Sequence, residues 1–598
     1  MKTLNKQYLK KILACIMVKL SKKRIVSGIV IVCLLLTIIP ITAFMASAVI
    51  STEQYITFSS NGEFSLRTSN NSKNWDGVLE YSTDLSSWSV WGGTTALSSS
   101  NGKLYLRGED NTKITGSSNR NGWKLTPVTE GIGISCTGNI MTLLDHSPLS
   151  FNITADYYAF AYMFYNCTAL ISAPELPATK LSNNCYQNMF EGCISLTDAP
   201  ALPAEKLAES CYENMFKDCT ALTVAPELPA EELAKNCYEN MFEGCISLNV
   251  APALPAITLA ESCYENMFKD CVTLITPPEL PATILESSCY YGMFKNCTKL
   301  TAAPSLSATE LAYGCYKYMF DGCISLTVAP ALSAITLAES CYENMFKDCV
   351  SLSVAPTLPA SDLSPRCYYG MFYGCEVLNS PPIMNATGLA ESCYSNMFYG
   401  CKSLTKAPAL PATILAEQCY RSMFQGCTSL IKAPTLSATT MTTYCYESMF
   451  KNCSNLTVVP ELPATDLAEY CYQYMFQDTG IKLSDTKNGK YTKEWYLPTE
   501  ATTSAMALES NGKTWNKNMF YLTDGTFTGP PKVGTVYYQY VNIDMDINGD
   551  LKIDEADLIA IKQDLLGLKS YSIDVNDDGV EDVKDLVRFS KYLDAINE

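Results

Sequence analysis

Histidine is almost missing from this chain of 598 residues, which has a single one at position 146. A catalytic site that uses an imidazole as its base could therefore be built only around His146. That residue lies in the loop-like stretch Asp145-His146-Ser147-Pro148. Neighbours in sequence do not make a catalytic triad, whose members must meet in space. We interpret His146 as a structural residue.

Basic residues are also few, since 43 Lys and Arg stand against 61 Asp and Glu and the formal net charge is −18. Eight of the cations and none of the acids lie in residues 1–48, so the charge becomes −26 without that segment. A surface this acidic argues against nucleic acid as a partner, because phosphates bind to clusters of Lys and Arg. Residues 541–598 hold fifteen of the acids and six of the cations.

Long apolar runs are limited to the N-terminus. Lys22-Lys23-Arg24 is followed by the apolar residues 25–39 and then by Ala46-Ser47-Ala48. This order is typical of a secretory signal peptide, here residues 1–48, that is cleaved after Ala48. The alternative is an uncleaved membrane anchor, because the run is nearly long enough to span a bilayer. We favour cleavage, which gives a secreted protein without a membrane span.

Insertions and deletions are missing from the central region, where the pair Met-Phe returns every 26 residues thirteen times, from Met163 to Met475. A fixed period of this length predicts a solenoid, in which each unit buries its apolar face against its neighbours. No unit departs from the pattern to present a unique pair of carboxylates, which glycoside hydrolysis would require. The period therefore favours a binding scaffold over an enzyme.

One unit runs from Leu207 to Ala230. The apolar residues of its first half are spaced four apart, with two aromatic residues beside them: Leu207, Cys211, Met215 and Cys219, with Tyr212 and Phe216. This spacing predicts a helix with one apolar face. The second half carries Pro226 between apolar residues three apart, which predicts an extended segment.

The stretch Met215-Phe216-Lys217-Asp218-Cys219-Thr220-Ala221-Leu222 resembles the BspA-type leucine-rich repeats of bacterial surface proteins, whose unit runs through Ala-Phe-x-x-Cys-x-x-Leu into a short strand. The resemblance extends over residues 151–480 and implies an α/β solenoid. A proline stands in the strand of every unit from Pro174 to Pro460, and proline cannot donate to a ladder. We therefore expect short, imperfect parallel strands on the inner side of the curve.

Cysteines are numerous in the repeats, which hold 24 of the 27. The first unit has Ala159 in place of its first Cys, and the last has Thr479 in place of its second. If each second Cys bonds to the first Cys of the next unit, beginning with Cys167–Cys185, twelve disulfides form and no cysteine of the array is left over. Each would contribute roughly 3 kcal/mol on the chain-entropy model, and export would permit them. The alternative is a ladder of reduced, buried thiols.

Residues 49–150 alternate like strands in five segments, at 56–58, 64–66, 78–81, 88–91 and 104–106. Asn61-Gly62 and Asn101-Gly102 are typical hairpin turns. We predict a small antiparallel β module that caps the start of the solenoid and buries Cys136. Four tryptophans of this module could form either its core, which we favour, or a sugar-stacking platform: Trp75, Trp88, Trp91 and Trp123.

The period breaks after Cys471, but one further segment still resembles a unit. Trp515 stands there at the position of the first Cys, four residues before Met519-Phe520. Solenoids need an atypical terminal unit to cover the last exposed face. We therefore predict a C-terminal cap and linker over residues 481–540.

Two acidic loops, 28 residues apart, follow this cap. Each places oxygen-bearing side chains at positions 1, 3, 5, 9 and 12 of a twelve-residue loop: Asp546, Asn548, Asp550, Asp554 and Asp557, then Asp574, Asn576, Asp578, Asp582 and Asp585. Calcium takes six to eight oxygen ligands on such flexible loops. Each loop leads into an amphipathic helix, and the pair predicts two Ca²⁺ sites.

These loop–helix segments, over about 544–595, resemble a type I dockerin with Asp rather than Glu at position 12. The resemblance implies an all-α calcium-binding module over residues 541–598 that binds the cohesin module of a cellulosome scaffolding protein. It also implies that the backbone carbonyls of Lys552 and Val580 complete the ligand set at position 7. Leu551 and Glu581 depart from the pattern, where a glycine and an apolar residue are usual.

The sequence therefore predicts a secreted, non-catalytic binding or adhesion protein, associated with a cellulosome at the cell surface. Its repeats would bind plant polysaccharide, a surface protein or another cellulosomal component. The alternative is a dockerin-bearing carbohydrate-active enzyme with an unrecognised site, because dockerins are most often attached to hydrolases. The outward positions of the repeats vary without an evident aromatic or charged stripe, and the ligand cannot be named from them.

Overall fold

The computed structural model describes residues 53–146, 157–488, 490–523, 525–540, 555–566, 583 and 586–590. The predicted signal peptide lies outside these residues. None of the helices within them combines the length and the hydropathy that a bilayer crossing needs.

The strands described before the repeats form two sheets. Their bounds are β1 Ile56–Ser60, β2 Phe64–Thr68, β3 Val78–Ser82, β4 Ser89–Val90, β5 Leu97–Ser98, β6 Lys103–Glu109, β7 Trp123–Pro127 and β8 Ile134–Thr137, with 3₁₀ turns at Asn119–Asn121 and Ile140–Leu143. One sheet has the order β4-β3-β6-β1-β8 and continues into the first repeat, and the other has the order β5-β2-β7. All pairings among these eight strands are antiparallel.

All five predicted strand segments contain strands, but one predicted turn is wrong. Asn101 and Gly102 form the expected tight turn, with φ of 52° and 67°. Asn61-Gly62 instead connects strands of two different sheets. β1 does not pair with β2, because β6 and β8 occupy both edges of β1 and β5 and β7 occupy both edges of β2.

Three of the four tryptophans form the core of this module. Trp75, Trp91 and Trp123 are buried, with ring centroids 5.0 Å apart in the first pair and 5.7 Å in the second. Trp88 is half-buried, and the guanidinium of Arg107 covers its ring at 4.1 Å. Cys136 is fully buried, as expected. The core interpretation is therefore confirmed, and the sugar-stacking alternative has no set of free ring faces.

The helix predicted in each repeat is wrong, since no α-helix forms within residues 157–488. Backbone N–H groups in this segment donate alternately within the unit and to the next unit. Met215 N–H donates to Tyr212 O at 3.2 Å, whereas Phe216 N–H donates to Met241 O at 2.9 Å. The segment is a run of consecutive turns, and we call residues 207–219 and their equivalents in the other units the turn ladder.

A left-handed residue at every fourth position explains the turns. In one unit these residues are Ser210, Asn214 and Asp218, with φ of 51°, 55° and 58°. Such residues interrupt a right-handed helix but preserve the four-residue spacing, so the apolar side chains still point to one side. Glycine takes this position in some units, such as Gly244 with φ of 74°, because it adopts left-handed backbone without strain.

The proline-containing half of each unit is extended, and its parallel pairing is as short as expected. The first unit has the strand β9 Leu170–Ser172, which pairs with β8. The other described units pair through single-residue parallel bridges 26 residues apart, such as Asp198 with Val224. Proline removes donors from this ladder, so the turn ladder carries most of the hydrogen bonds between units.

The interior is a set of identical residues stacked in columns. The Met, Phe, Tyr, Cys and Leu columns are almost completely excluded from water. Phenylalanine rings of successive units lie nearly parallel, as in Phe268 on Phe294 with centroids 5.8 Å apart. Each unit buries its apolar side against two neighbours, so the core is continuous along the array.

Both ends of the array continue its hydrogen-bond ladder. Trp123 N–H donates to Met163 O at 2.7 Å before the first unit. After the last, Phe476 N–H donates to Met519 O at 2.9 Å, and Tyr472 N–H donates to Trp515 O at 2.8 Å. Trp515 therefore occupies the position of a first Cys in a fourteenth, irregular unit.

The remaining described elements follow the array. Strands β10 Leu483–Ser484, β11 Tyr491–Trp495 and β12 Tyr537–Tyr540 form an antiparallel sheet of order β10-β12-β11. A 3₁₀ turn at Thr499–Ala501 leads into helix α1 Thr502–Ser510, and helix α2 spans Glu555–Leu565.

Candidate functional site

Only one of the twelve predicted calcium ligands lies in the described residues. Asp557 is in the first turn of α2 and is fully buried. On the same helix Ile561 is also buried. The other eleven lie outside the described residues: Asp546, Asn548, Asp550, Lys552, Asp554, Asp574, Asn576, Asp578, Val580, Asp582 and Asp585. The described part of the chain holds no group of three or more His, Cys, Asp or Glu suited to a metal ion, and the calcium sites stay a prediction.

The predicted disulfide pattern is wrong in the structure, where the 25 cysteines from Cys136 to Cys471 are free. Units stack at a period of 26, so first cysteines meet first cysteines and second cysteines meet second ones. Cys193 accordingly interacts with Cys167 and Cys219, one unit away on each side. Its thiol also lies 3.1 Å from the carbonyl oxygen of Phe164. A bridge between residues 18 apart would have to connect two different columns.

Burial makes these thiols unreactive. It raises the pKa of Cys185 to about 12, and the pKa of the other array thiols is raised in the same direction for the same reason. Alkylating reagents attack the thiolate, which is then almost absent at neutral pH. The columns therefore act as small apolar side chains.

We expect iodoacetamide at pH 8 to leave these 25 thiols unlabelled in the folded protein and to label all of them in denaturant without reductant. Cys15 and Cys33 lie in the predicted signal peptide, so the test uses secreted protein. Intact mass before and after labelling gives the count. If labelling in denaturant required a reductant, the thiols would be disulfide-bonded and the structure's free columns would be contradicted.

A second kind of column crosses the outward side of the turn ladder and carries alternating charge. The carboxylate of Glu243 binds Lys217 at 2.8 Å and Lys269 at 2.7 Å, in the units before and after it. Burial alone would raise the pKa of Glu243, but hydrogen bonds from the two ammonium groups outweigh it and hold this pKa below its ordinary value. Asp321 is paired in the same way with Lys295 and Lys347. These carboxylates hold units together.

A neighbouring column on the same side has carboxylates in three successive units, with no alternation of charge. Glu239 lies between Glu213 and Glu265 of the adjacent units. Burial, followed by repulsion from these two carboxylates, raises the pKa of Glu239 to about 7, although Asn240 donates a hydrogen bond to it. The sequence analysis missed this group because its members are 26 residues apart. Reading the chain at that interval shows three glutamates in succession.

The outward side of the turn ladder also carries paired tyrosines in its later units. Tyr373 stacks on Tyr399 with centroids 4.5 Å apart, and Tyr444 stacks on Tyr470 at 4.9 Å. No aromatic stripe is evident along the sequence, and these two pairs form between residues that are 26 positions apart. In each pair the rings cover one face of each other, and a cation lies over one ring of each pair, Lys347 over Tyr373 at 5.8 Å and Arg421 over Tyr444 at 5.7 Å.

His146 has a structural environment. Its ring nitrogen Nδ1 lies 2.7 Å from the carbonyl oxygen of Gly108, and its backbone N–H donates to the same oxygen at 3.1 Å. These contacts attach the end of the N-terminal module to β6.

Comparison with known proteins supports the reading of the repeats. A family model described as the BspA type leucine rich repeat region matches in six copies, over residues 152–275, 231–353, 263–405 and 368–493. No curated protein and no solved structure matches the chain. The match covers more than half of the chain and does not extend to residues 541–598. With its thirteen units, its leucine and cysteine columns and its short parallel bridges, this chain belongs to the BspA-type leucine-rich-repeat family.

Proposed function

We propose that this protein is a secreted, non-catalytic binding protein, held on a cellulosome scaffold by calcium-dependent dockerin–cohesin pairing. Its repeats display the ligand-binding surface. One observation carries the proposal: the inward columns hold the same residue in almost every unit, whereas the outward columns change. At one outward position the residue is Glu239, Tyr291, Lys317 or Arg421, depending on the unit. A constant core with a variable surface is suited to recognition by many weak contacts.

The buried charges support a role without catalysis. Glu243 and Glu343 are among the most buried carboxylates of the repeats, and each is paired with two cations. Their pKa values are lowered. A general acid needs a carboxyl group whose pKa is raised towards the working pH, so these two groups are suited to fastening units together.

The C-terminal part of the proposal is supported by Asp557. A loop of the calcium-binding type ends with its last ligand in the first turn of the following helix. Asp557 has this position on α2 and is withdrawn from solvent.

We expect the full-length protein to bind a type I cohesin in calcium and to lose this binding when calcium is removed with EDTA, because the loops cannot fold without the ion. Neutralising both first ligands, with Asp546→Ala and Asp574→Ala, should abolish retention on immobilised cohesin. Asp594→Ala, which removes an acid outside both loops, is the matched control. Retention that persists in EDTA, or no calorimetric response to micromolar-to-millimolar calcium, would show that the segment is not a dockerin.

The second candidate is a dockerin-bearing carbohydrate-active enzyme, which the Glu213–Glu239–Glu265 column favours. A carboxyl group with a pKa of about 7 beside two others is the environment of a general acid. Reducing-sugar release from cellulose, xylan or pectin that disappears with Glu239→Gln would favour this function. Retention on those polysaccharides without sugar release would favour binding.

A further inference from the structure

Three glutamates stand in successive units on the outward side of the turn ladder: Glu213, Glu239 and Glu265. We call them the Glu239 column. Hydrogen bonds between units keep them in register, since Asn214 N–H donates to Glu239 O and Asn240 N–H donates to Glu265 O, both at 2.8 Å. Each of the three side chains is half-buried. The spacing of the carboxylates therefore depends on whether these bonds between units stay closed.

Neutral groups donate hydrogen bonds to the carboxylates of this column. Glu213 accepts one from Gln187 Nε2 at 2.9 Å, and Glu239 accepts one from Asn240 Nδ2 at 3.3 Å. The charged groups that face Glu239 belong to its own column and to the columns on either side: Glu213 and Glu265, then Lys217, Glu243 and Lys269, and then Glu209, Lys235 and Glu261.

The three cations in this set are bonded to other carboxylates. Lys217 and Lys269 bind Glu243 at 2.8 and 2.7 Å, and Lys235 binds Glu261 at 2.9 Å. Like charges on directly adjacent segments destabilise their pairing. The same three units therefore carry one column that attracts along its length and, once its members ionise, one column that repels.

The position of Glu239 has the opposite environment four units later. Glu343 occupies it there and binds Lys317 at 3.2 Å and Arg366 at 2.8 Å, in the units before and after. Burial alone would raise the pKa of Glu343, but the hydrogen bond from Arg366 leads the interactions that outweigh burial and lower this pKa. At Glu239, burial and the two neighbouring carboxylates raise the pKa to about 7. The fold therefore does not require repulsion at this position.

We propose that the Glu239 column makes the third, fourth and fifth units a pH-dependent opening point of the array. With Glu239 protonated, the column is compatible with the closed ladder. When Glu239 ionises beside two other carboxylates, the bonds from Asn214 and Asn240 open more often while the other units stay closed. Such local opening is possible because each unit of a solenoid contacts only its neighbours. Ligand contacts made by these three units then weaken as the pH rises.

Hydrogen exchange of the full-length protein at pH 5 and pH 8, corrected for the intrinsic exchange rate, tests this proposal. We expect the protection of peptides containing Asn214 and Asn240 to fall about tenfold between the two values, because Glu239 ionises between them. Peptides containing Tyr318 and Asn344, the equivalent donors around Glu343, should keep their protection. Unchanged protection of the first pair would refute the opening point, and an equal fall in both pairs would show that opening is not local.

Two substitutions of Glu239 keep the test decisive if one variant does not fold. Glu239→Gln should keep at pH 8 the protection seen at pH 5. Glu239→Lys makes the column alternate in charge and should raise protection at pH 8 above that of the unaltered protein. Glu343→Gln is the matched control and should lower protection around Tyr318 and Asn344 equally at both pH values. If the pH dependence at Asn214 and Asn240 persisted in the Glu239 variants, another group would be responsible and the proposal would be overturned.

Discussion

Replacing Phe294 with alanine is expected to lower the free energy of unfolding by about 4 kcal/mol, the usual cost of emptying a well-packed aromatic site. Its side chain has no exposed surface. The ring lies between Phe268 and Phe320, with centroids at 5.8 and 5.7 Å and planes inclined by 6° and 9°. The adjacent units cannot close the cavity, because hydrogen bonds such as Phe294 N–H to Met319 O fix their spacing.

Equilibrium unfolding in urea, followed by circular dichroism, measures the change. Ile414→Ala is the matched control, since this side chain is 80% exposed and its loss should cost less than about 0.5 kcal/mol. Limited proteolysis adds a second readout. Neighbouring units stabilise each other in a solenoid, so cleavage should begin near residue 294 in the variant. Equal effects of the two substitutions would contradict a core made of stacked rings.

The 26-residue period is sufficient to predict the solenoid, its buried columns and the irregular unit at Trp515. It does not distinguish the turn ladder from a helix, because both place apolar residues four apart on one side. The discriminating signal is the residue between them. Asn, Asp and Gly, which tolerate left-handed backbone, recur at many of these fourth positions, as at Asn214, Asp218 and Gly244.

The cysteine count illustrates a second limit. Twenty-four cysteines can be paired without remainder, but pairing depends on which columns they occupy. The stacking places Cys185 beside Cys211 and keeps Cys193 in a different column. Numbers along the chain therefore do not determine proximity in a solenoid, whereas the step of one full period does. The same step reveals the Glu239 column.

Glu243→Gln is expected to destabilise the array by about 2 kcal/mol at pH 7, because it leaves Lys217 and Lys269 half-buried without their carboxylate. The pKa of Glu243 is lowered in the folded protein. Its contribution to stability is therefore present above the pKa of the unfolded chain and is lost as the pH falls through the lower folded value. The difference between variant and unaltered protein should shrink on acidification.

Glu239→Gln is expected to have the opposite effect, although the residue lies in the same unit. The pKa of Glu239 is raised from 4.5 to about 7 by burial and by Glu213 and Glu265. The contribution of Glu239 to stability is then fully present below its unfolded pKa of 4.5 and is lost as the pH rises through 7, when the half-buried group ionises beside two carboxylates. The glutamine variant should gain about 2 kcal/mol at pH 8 and nothing at pH 4. Melting temperatures at the two pH values measure this, with Glu243→Gln as the matched control; parallel pH profiles would show that the columns do not carry opposite electrostatics.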